Sequence, residues 1–294
     1  MKNRREPRRL RPVSRPRSSR AIGLGLTLGL LLASPAPAQD GKSYGLLLEG
    51  PEAEEFLRTA RVVAREEIPE GVTDPERLTL TDGTRTLRAT WKTVDEHQPG
   101  IWRGERGGYE FDFRDSWKHE VAAYELDKIL GLGLVPPTVE RRIDGRRGSL
   151  QLWVEGVMGE NDRQDRQIEP KGPRDRIRWH NQVHCVRLFH QLTYNTDHTN
   201  ARNVLVAPDF QMWVIDASRA FRIQQELLAP DDLECFSRAA LERLKALDRP
   251  LIEETMGELL DRRQVDGLLA RRDKILTLVR VLLIKKGPGK VLFP

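Results

Sequence analysis

The sequence predicts an α+β fold, in which a small antiparallel sheet and one long helix precede a mainly helical half. Strand-like alternation of apolar and polar residues flanks two Asp-Gly turns, at Asp82 and Asp144, and such turns are strong hairpin signals. A helical pattern of apolar residues lies between the two hairpins. After Pro173 helical patterns dominate, interrupted by one short hairpin. A sheet followed by helices is typical of an α+β fold.

Residues 1–38 have the composition of a secretory signal peptide. Nine basic residues and one acid precede the apolar run 22–32, which is followed by the small-residue site Ala36-x-Ala38. The run is shorter than the roughly 20 residues that a membrane-spanning helix needs. We therefore expect cleavage after Ala38, export to the periplasm or the exterior, and no stable membrane span after cleavage. A short membrane anchor and a mis-chosen start codon are the alternatives.

The basic charge of the chain belongs to this leader. Without residues 1–38, the formal net charge falls from +5 to −3, so the composition does not indicate a nucleic-acid partner. Residues 39–294 are enough for one large or two-lobed domain. The two cysteines, Cys185 and Cys235, are too few for a cystine-stapled scaffold, and the apolar neighbours of Cys185 favour a buried thiol.

Residues 39–70 are predicted to form a helical extension. A helix opens at Pro51, and one face of it is apolar. The residues of that face are Phe56, Leu57, Ala60, Val63 and Ala64. From Gly71 the pattern changes to strands, 77–81 and 86–94, in which Ala89 and Trp91 alternate with polar residues. This alternation places Lys92 on the face opposite to the apolar one.

The next elements complete the first half. The stretch His97–Gly108 contains four glycines and a proline and is predicted to be a loop. A helix is predicted from Asp115, as N-cap, through Leu130, with Gly131 ending it. Two strands, 135–139 and 148–154, then flank the turn at Asp144-Gly145.

The second half begins with the polar stretch 156–173, which suits a connection between two lobes. A long helix follows, to about Tyr194. The strands 204–206 and 212–215 form a predicted hairpin. Three further helices are expected at approximately 231–247, 250–260 and 264–286.

Five side chains are candidates for what phosphoryl transfer requires. The reaction needs a cation on the phosphates, a partner for that cation, a positioner for the acceptor and oxygen ligands for Mg²⁺. Lys92 and Glu120 are candidates for the first two, on a strand and the following helix. Asp197 follows a long helix. Asn203 begins the first strand of one hairpin and Asp216 ends the second strand, so both lie at the open end of that hairpin and close together.

Several segments carry a resemblance to a known superfamily. They are Ala89–Lys92, His119–Leu126, Leu134–Thr138, Gly148–Gln151, Asn195–Leu205 and Ile215–Phe221. In this order they resemble the atypical protein-kinase-like superfamily, which includes HipA-type kinases, phosphatidylinositol kinases and secretory casein kinases. The resemblance covers about residues 71–286 and implies an exported bacterial member with a bilobal kinase-like fold. Its N-lobe would span 71–155 and its C-lobe 156–294.

The resemblance also implies roles in the N-lobe. Lys92 would bind the phosphates of ATP or another nucleotide, and Glu120 would orient Lys92. Gln151, Trp153 and Val154 would lie in the hinge, the segment between the lobes that contacts the adenine ring of the nucleotide. The nucleotide would then sit between the two lobes.

In the C-lobe, the resemblance makes Asp197 the catalytic base or acceptor positioner and makes Asn203 and Asp216 ligands of Mg²⁺. Asp197 and Asn203 are six residues apart, one more than the usual spacing, so Asn200 is a rival ligand. The acceptor is left open between a protein, a lipid and a small molecule.

Departures from the family pattern keep a second function open. The turn at Gly83 has one glycine where protein kinases have a glycine-rich lid, and Asp216-Ala-Ser replaces Asp-Phe-Gly. The periplasm is also not expected to hold useful ATP. A catalytically inactive, pseudokinase-type binding or scaffold protein is therefore the alternative. An unrelated hydrolase is disfavoured because no Gly-x-Ser-x-Gly motif occurs.

One pair of residues lies outside this scheme. His180 and His184 are four residues apart on a predicted helix and could bind a metal ion through one helical face. No glutamate stands beside them as in a zinc-protease helix, so two histidines placed by chance are the favoured interpretation.

Overall fold

The computed structural model describes residues 44–68, 74–103 and 108–294. The predicted leader and its cleavage site lie outside these residues. All the described residues belong to one compact unit. Among the described helices, none combines the length and the apolar character that crossing a membrane requires.

The described part of the first half contains two helices and two sheets. In chain order its elements are α1 (Gly50–Thr59), β1 (Arg61–Glu67), β2 (Glu76–Thr81), β3 (Thr86–Lys92), β4 (Asp95–Arg103), β5 (Tyr109–Ser116), α2 (Trp117–Leu130), β6 (Thr138–Ile143) and β7 (Arg146–Leu152). Five strands form an antiparallel sheet in the order β1-β2-β3-β7-β6, and β4 pairs with β5 as a separate hairpin.

The second half is mainly helical. Its elements are β8 (Met158–Gly159), α3 (Glu160–Asp165), α4 (Pro173–Thr193), β9 (Val204–Val206), β10 (Met212–Val214), β11 (Phe236–Ser237), α5 (Arg238–Ala246), α6 (Arg249–Met256), α7 (Arg262–Lys286), α8 (Pro288–Val291) and β12 (Leu292–Phe293). Strands β8 to β10 form a three-stranded sheet, and β11 pairs with β12 in parallel. The fold class is α+β, as predicted, and it is compatible with a bilobal kinase-like fold.

The hairpin β2–β3 fixes the direction of Lys92. The Asp82 side chain accepts hydrogen bonds from the N–H groups of Thr84 and Arg85, which closes the turn as predicted. Ala89 and Trp91 are buried in the sheet. Because side chains alternate between the two faces of a strand, Lys92 points away from that core.

Two hydrophobic clusters support the two halves. One lies between α1 and the five-stranded sheet and includes Phe56, Leu57, Leu78 and Trp91. The larger one joins α2, α4, α5, α6 and α7. Helix α2 therefore packs into the helical half while it follows the sheet-forming part of the chain, and this places its first turn where the two halves meet.

The predicted helical extension is only partly helical. Helix α1 ends at Thr59, and Val63 and Ala64 lie in β1, the edge strand of the sheet. The adjacent β-branched residues Val62 and Val63 favour a strand over a helix. The prediction of one helix through Ala64 was wrong.

The predicted loop His97–Gly108 was also wrong. Its described part is mostly strand, because β4 and β5 pair from Asp95↔Ser116 to Arg103↔Tyr109. The register shifts between Gln98 and Ile101, so the Pro99-Gly100 dipeptide is accommodated in a bulge. Proline and glycine are tolerated at such positions.

The start of α2 differs from the prediction by one residue. Ser116, not Asp115, is the N-cap, and its Oγ accepts a hydrogen bond from the N–H of Lys118. Ser116 Oγ also donates to Asp95 Oδ1 at 2.7 Å. The side chain of Asp115 is therefore available for other contacts. Gly131 ends the helix in a left-handed conformation, as predicted.

Candidate functional site

The end of β3, the first turn of α2 and the end of β10 meet at Lys92. Its Nζ lies 2.5 Å from Glu120 Oε1 and 2.7 Å from Asp216 Oδ1. The side chains of Lys92 and Glu120 are 12% and 3% exposed, whereas that of Asp216 is 43% exposed. Three predicted site residues are thus in direct contact, and Asp216 faces solvent.

Glu120 is held from a second side. Its Oε2 accepts a hydrogen bond from the N–H of Ala217 at 3.0 Å. The preceding residue, His119, donates through Nδ1 to the carbonyl of Ser218 at 2.7 Å. The first turn of α2 is therefore fixed to the backbone that follows Asp216, which aligns Glu120 with Lys92 and Asp216.

The charges of these three groups depend on one another. Burial alone would lower the pKa of the Lys92 amine, but the two neighbouring carboxylates outweigh it and raise that pKa. The Lys92 charge lowers the pKa of Asp216. Burial raises the pKa of Glu120 despite the contact with Lys92. Lys92 is thus firmly cationic, and Asp216 is the more strongly acidic carboxyl group.

Asp216 has an uncommon backbone conformation. Its φ is 60°, in the left-handed region that Asp and Asn visit more readily than other non-glycine residues. Such strain persists where surrounding contacts hold it, and it is concentrated at functional sites. Here the residue lies two positions after the end of β10, and its carboxylate contacts Lys92.

A second cluster surrounds Asp197, in the segment that follows α4. Asp197 Oδ2 accepts hydrogen bonds from Asn203 Nδ2 at 2.7 Å and from Asn200 Nδ2 at 3.1 Å. The N–H of Asp197 donates to Asn195 Oδ1 at 3.0 Å. These contacts fix the orientation of the carboxylate that the sequence proposes as base or positioner.

The two asparagines differ in what they leave free. Asn200 Oδ1 accepts from the N–H of Arg202 at 3.2 Å, so both ends of that amide are engaged. The Asn203 nitrogen donates to Asp197, and within the described residues no donor bonds to its Oδ1. Asn203 therefore fits a cation-binding role better than Asn200.

The hairpin β9–β10 connects the two clusters. The N–H of Ile215 donates to the carbonyl of Asn203 at 2.9 Å, so Asn203 and Asp216 stand at the same end of the hairpin. An amide oxygen and an ionised carboxylate are hard ligands of the kind that Mg²⁺ prefers, and Mg²⁺ usually keeps several waters. The residues present therefore fit Mg²⁺ with two protein ligands.

The three predicted hinge side chains have contacts of their own. Gln151 is buried and donates to Thr138 Oγ1 at 2.9 Å. Val154 is buried against Trp213. The ring of Trp153 lies 5.3 Å from the guanidinium carbon of Arg88. The side chains of Gln151 and Val154 therefore already have partners within the described residues, and the N–H of Trp153 donates to the carbonyl of Arg88 at 2.9 Å.

Comparisons with known proteins give a similarity to solved structures alone. No family model and no curated protein matches this chain. Among solved structures, the chain is similar to the Helicobacter pylori proinflammatory kinase CtkA, with 11% sequence identity and a TM-score of 0.38. The similarity covers 79% of this chain and 97% of that chain. A similarity at this level concerns the fold at most.

The sequence pattern did not indicate the position of Asp115. The N–H of Ser116 donates to the carbonyl of Ser218 at 3.0 Å, which brings Asp115 to the segment after Asp216. Its Oδ2 lies 3.5 Å from Arg219 Nε, and burial raises the pKa of its carboxyl group. Assigning Asp115 as the helix cap concealed this position, because Asp and Ser are about equally good N-caps.

Proposed function

We propose that this chain is an exported kinase-like phosphotransferase that binds a Mg²⁺-nucleotide, ATP or a related one, between its two halves. The observation that carries this proposal is the contact of the Lys92 amine with both Glu120 and Asp216. A buried cation fixed by a buried glutamate, beside a carboxylate that is open to solvent, is the arrangement that phosphate binding needs.

Each first-half residue has a distinct task in this proposal. Lys92 binds the phosphates of the nucleotide, since its charge is fixed and its amine has three donors. Glu120 holds that amine in place through Oε1, while its Oε2 accepts a hydrogen bond from the N–H of Ala217. The nucleotide phosphates would then share the Lys92 amine with Asp216.

The second-half residues act on the metal and the acceptor. Asn203 Oδ1 and Asp216 would hold Mg²⁺, which neutralises charge on the phosphates when it is bound. Asp197, oriented by two amides, would accept a hydrogen bond from the acceptor hydroxyl and position it. The acceptor belongs to an open class: a protein, a lipid or a small molecule with a hydroxyl group.

A binding or scaffold function of the pseudokinase type is the second candidate, and two observations favour it. The β2–β3 turn contains one glycine, Gly83, at its tip. Lys92 also pairs directly with Asp216, so a metal ion would compete with the amine for this carboxylate. A protein that binds no nucleotide could keep the same ion pairs as a structural element.

The test is the thermal stability of the chain with and without Mg²⁺-ATP, for the native sequence and Asp216→Asn. Asparagine tolerates the left-handed backbone at this position, so the variant removes charge with little strain. A ligand at about 100 times its Kd stabilises the native state by about 2.7 kcal/mol. We expect a metal-dependent rise that Asp216→Asn abolishes.

Asp209→Asn is the matched control. Asp209 lies in the turn at the opposite end of the same hairpin, where it pairs with Arg178, and its replacement should leave the ligand-dependent rise intact. No rise at millimolar nucleotide with folded protein would overturn the phosphotransferase proposal in favour of the scaffold function. A rise that both variants retain would place the nucleotide elsewhere.

A further inference from the structure

Helix α4 carries a pair of histidines that the proposed phosphotransferase site does not use. The Nε2 atoms of His180 and His184 lie 3.3 Å apart. Their ring centroids are 4.6 Å apart, and the ring planes are inclined by 82°. Since the nitrogens are closer than the centroids, the two rings converge at the edges that carry Nε2.

This separation matches a chelate. Zinc binds imidazole nitrogen at about 2.0–2.1 Å, almost always with tetrahedral geometry, which places two ligating nitrogens about 3.3–3.4 Å apart. Residues four apart lie on one face of a helix. We propose that His180 and His184 form a binding site for a borderline divalent cation such as Zn²⁺, with both Nε2 atoms as ligands.

The surroundings leave room for the remaining ligands. His184 is buried and His180 is exposed, so the ion would be reached from the side of His180. That side opens into a surface groove of about 630 Å³, whose lining includes Glu169, Arg176 and Trp179. Water would fill the open coordination positions, and Glu169 places a carboxylate in the same groove.

The expected affinity is moderate for two reasons. Among residues 44–68, 74–103 and 108–294, no group of three or more His, Cys, Asp and Glu side chains could hold a metal ion, so two histidines would be the protein ligands. In addition, His184 Nδ1 is buried and has no hydrogen-bond partner among the described residues. Ligating histidines usually donate that second N–H, and we therefore expect a micromolar Kd.

The cation differs in class from the one at Asp216. Imidazole suits Zn²⁺, Cu²⁺ and Ni²⁺, whereas Mg²⁺ prefers oxygen ligands. The positive charge of Arg187 disfavours a cation at His184, and the negative charge of Glu234 favours one. The histidine site and the proposed magnesium site can therefore be tested separately.

The experiment is a calorimetric titration of the full chain, without a histidine tag, with zinc chloride near pH 7.5, where free imidazole is mostly neutral. We expect about one Zn²⁺ per chain and a micromolar Kd. His180→Ala should weaken the affinity at least about tenfold, since loss of even an outer-shell partner costs about 10–100-fold. His180 is exposed, so this variant keeps the fold, which circular dichroism verifies.

Three controls make the assignment specific. His97→Ala removes an exposed imidazole that pairs with Asp112 and should leave zinc binding unchanged. Cys185→Ser with Cys235→Ser removes the two free thiols and should also leave it unchanged. Asp216→Asn should abolish the nucleotide-dependent rise and retain zinc binding.

Three results would overturn the proposal. One is a native chain that takes up no Zn²⁺ at about 100 µM, some ten to a hundred times the expected Kd. The second is undiminished affinity in His180→Ala. The third is loss of binding in the double cysteine variant, which would assign the ion to the thiols.

Discussion

Lys92 neutralises two carboxylates whose exposure differs strongly. Glu120 is almost fully buried, while Asp216 is open to solvent. An unpaired charge in the interior is far more costly than one at the surface. Breaking the contact with Glu120 is therefore costly, whereas the contact with Asp216 can be exchanged for a ligand at smaller cost.

Replacing Lys92 by methionine should destabilise the chain strongly. Breaking a buried ion pair on one side typically costs about 3–5 kcal/mol, because the partner is left uncompensated. Adding Glu120→Gln should recover most of that loss. The free energy of unfolding in urea, measured for the native chain, both single variants and the double variant, gives the coupling energy. A Lys92→Met chain as stable as the native one would contradict the assigned pair.

The pH dependence of Lys92→Met follows from Glu120. Burial already raises the pKa of this carboxyl group, and loss of the amine raises it further. A group whose pKa is higher in the folded state favours folding when it is protonated. The destabilisation should therefore be largest near pH 8 and shrink as the pH falls towards 5.

His190 on α4 is a buried histidine whose charge should affect the stability of the fold. Its two ring nitrogens are buried and have no hydrogen-bond partner within the described residues, and burial lowers its pKa to about 4. When the pKa of a histidine is lower in the folded state than in the unfolded state, protonation favours unfolding. The free energy of unfolding therefore decreases as the pH falls from about 6.5 towards 4. The native chain should lose stability across this range.

His190→Leu should remove that sensitivity. At pH 7 the variant should be at least as stable as the native chain, because an apolar side chain replaces an unpaired polar one. Its advantage should grow by up to about 1.4 kcal/mol per pH unit between pH 6.5 and 4. Urea denaturation at several pH values measures this. Parallel stability curves for the two proteins would show that His190 does not titrate on unfolding.

At the scale of elements, the first turn of α2 contains both the N-terminal cap of the helix and the site residue Glu120. Ser116 caps it, and Glu120 follows one turn later. Ser116→Ala should cost about 1 kcal/mol, as loss of an N-cap side chain typically does. It should also weaken Mg²⁺-ATP binding by loosening Glu120. Urea unfolding and the ligand-dependent thermal shift measure the two effects.

Asp115→Asn is the matched comparison for this cap. The structure assigns no capping hydrogen bond to Asp115, so its replacement should spare the stability of α2. If Asp115→Asn destabilised the chain more than Ser116→Ala did, Asp115 would be shown to stabilise the first turn more than the assigned cap.

The elements that the sequence predicted well have strong local signals. The Asp82 and Asp144 turns and the helix ending at Gly131 are encoded in a few adjacent residues. Strands β1 and β4 are not: most residues of β4 are exposed, so it lacks the alternating pattern that marks a half-buried strand. Their pairing is decided by neighbouring strands, which a local pattern does not contain.

At the scale of the whole molecule, the candidate site draws on both halves of the chain. The sequence identified Lys92, Glu120 and Asp216 through residue type and order, and the structure brings them into contact across 124 positions. The sequence did not decide between Asn200 and Asn203 as the metal ligand, because that choice depends on which amide oxygen the loop leaves without a hydrogen-bond donor. Nor did it find Asp115, whose position depends on the docking of Ser116 on Ser218.

Export is the property of the whole chain on which the choice of phosphate donor depends. The leader pattern predicts that the mature protein begins at Gln39. When the full chain is expressed in a bacterial host, mass spectrometry of the periplasmic fraction should find this N-terminus. Ala38→Glu should block cleavage, because the site requires small residues, and should leave the leader attached. Ala21→Glu is the control. Because Ala21 lies before the apolar run and away from the cleavage site, this variant should impair leader removal less than Ala38→Glu does. If the native chain kept Met1 in the cytoplasm, it would have direct access to ATP, and the objection to a nucleotide-dependent reaction would disappear together with the export proposal.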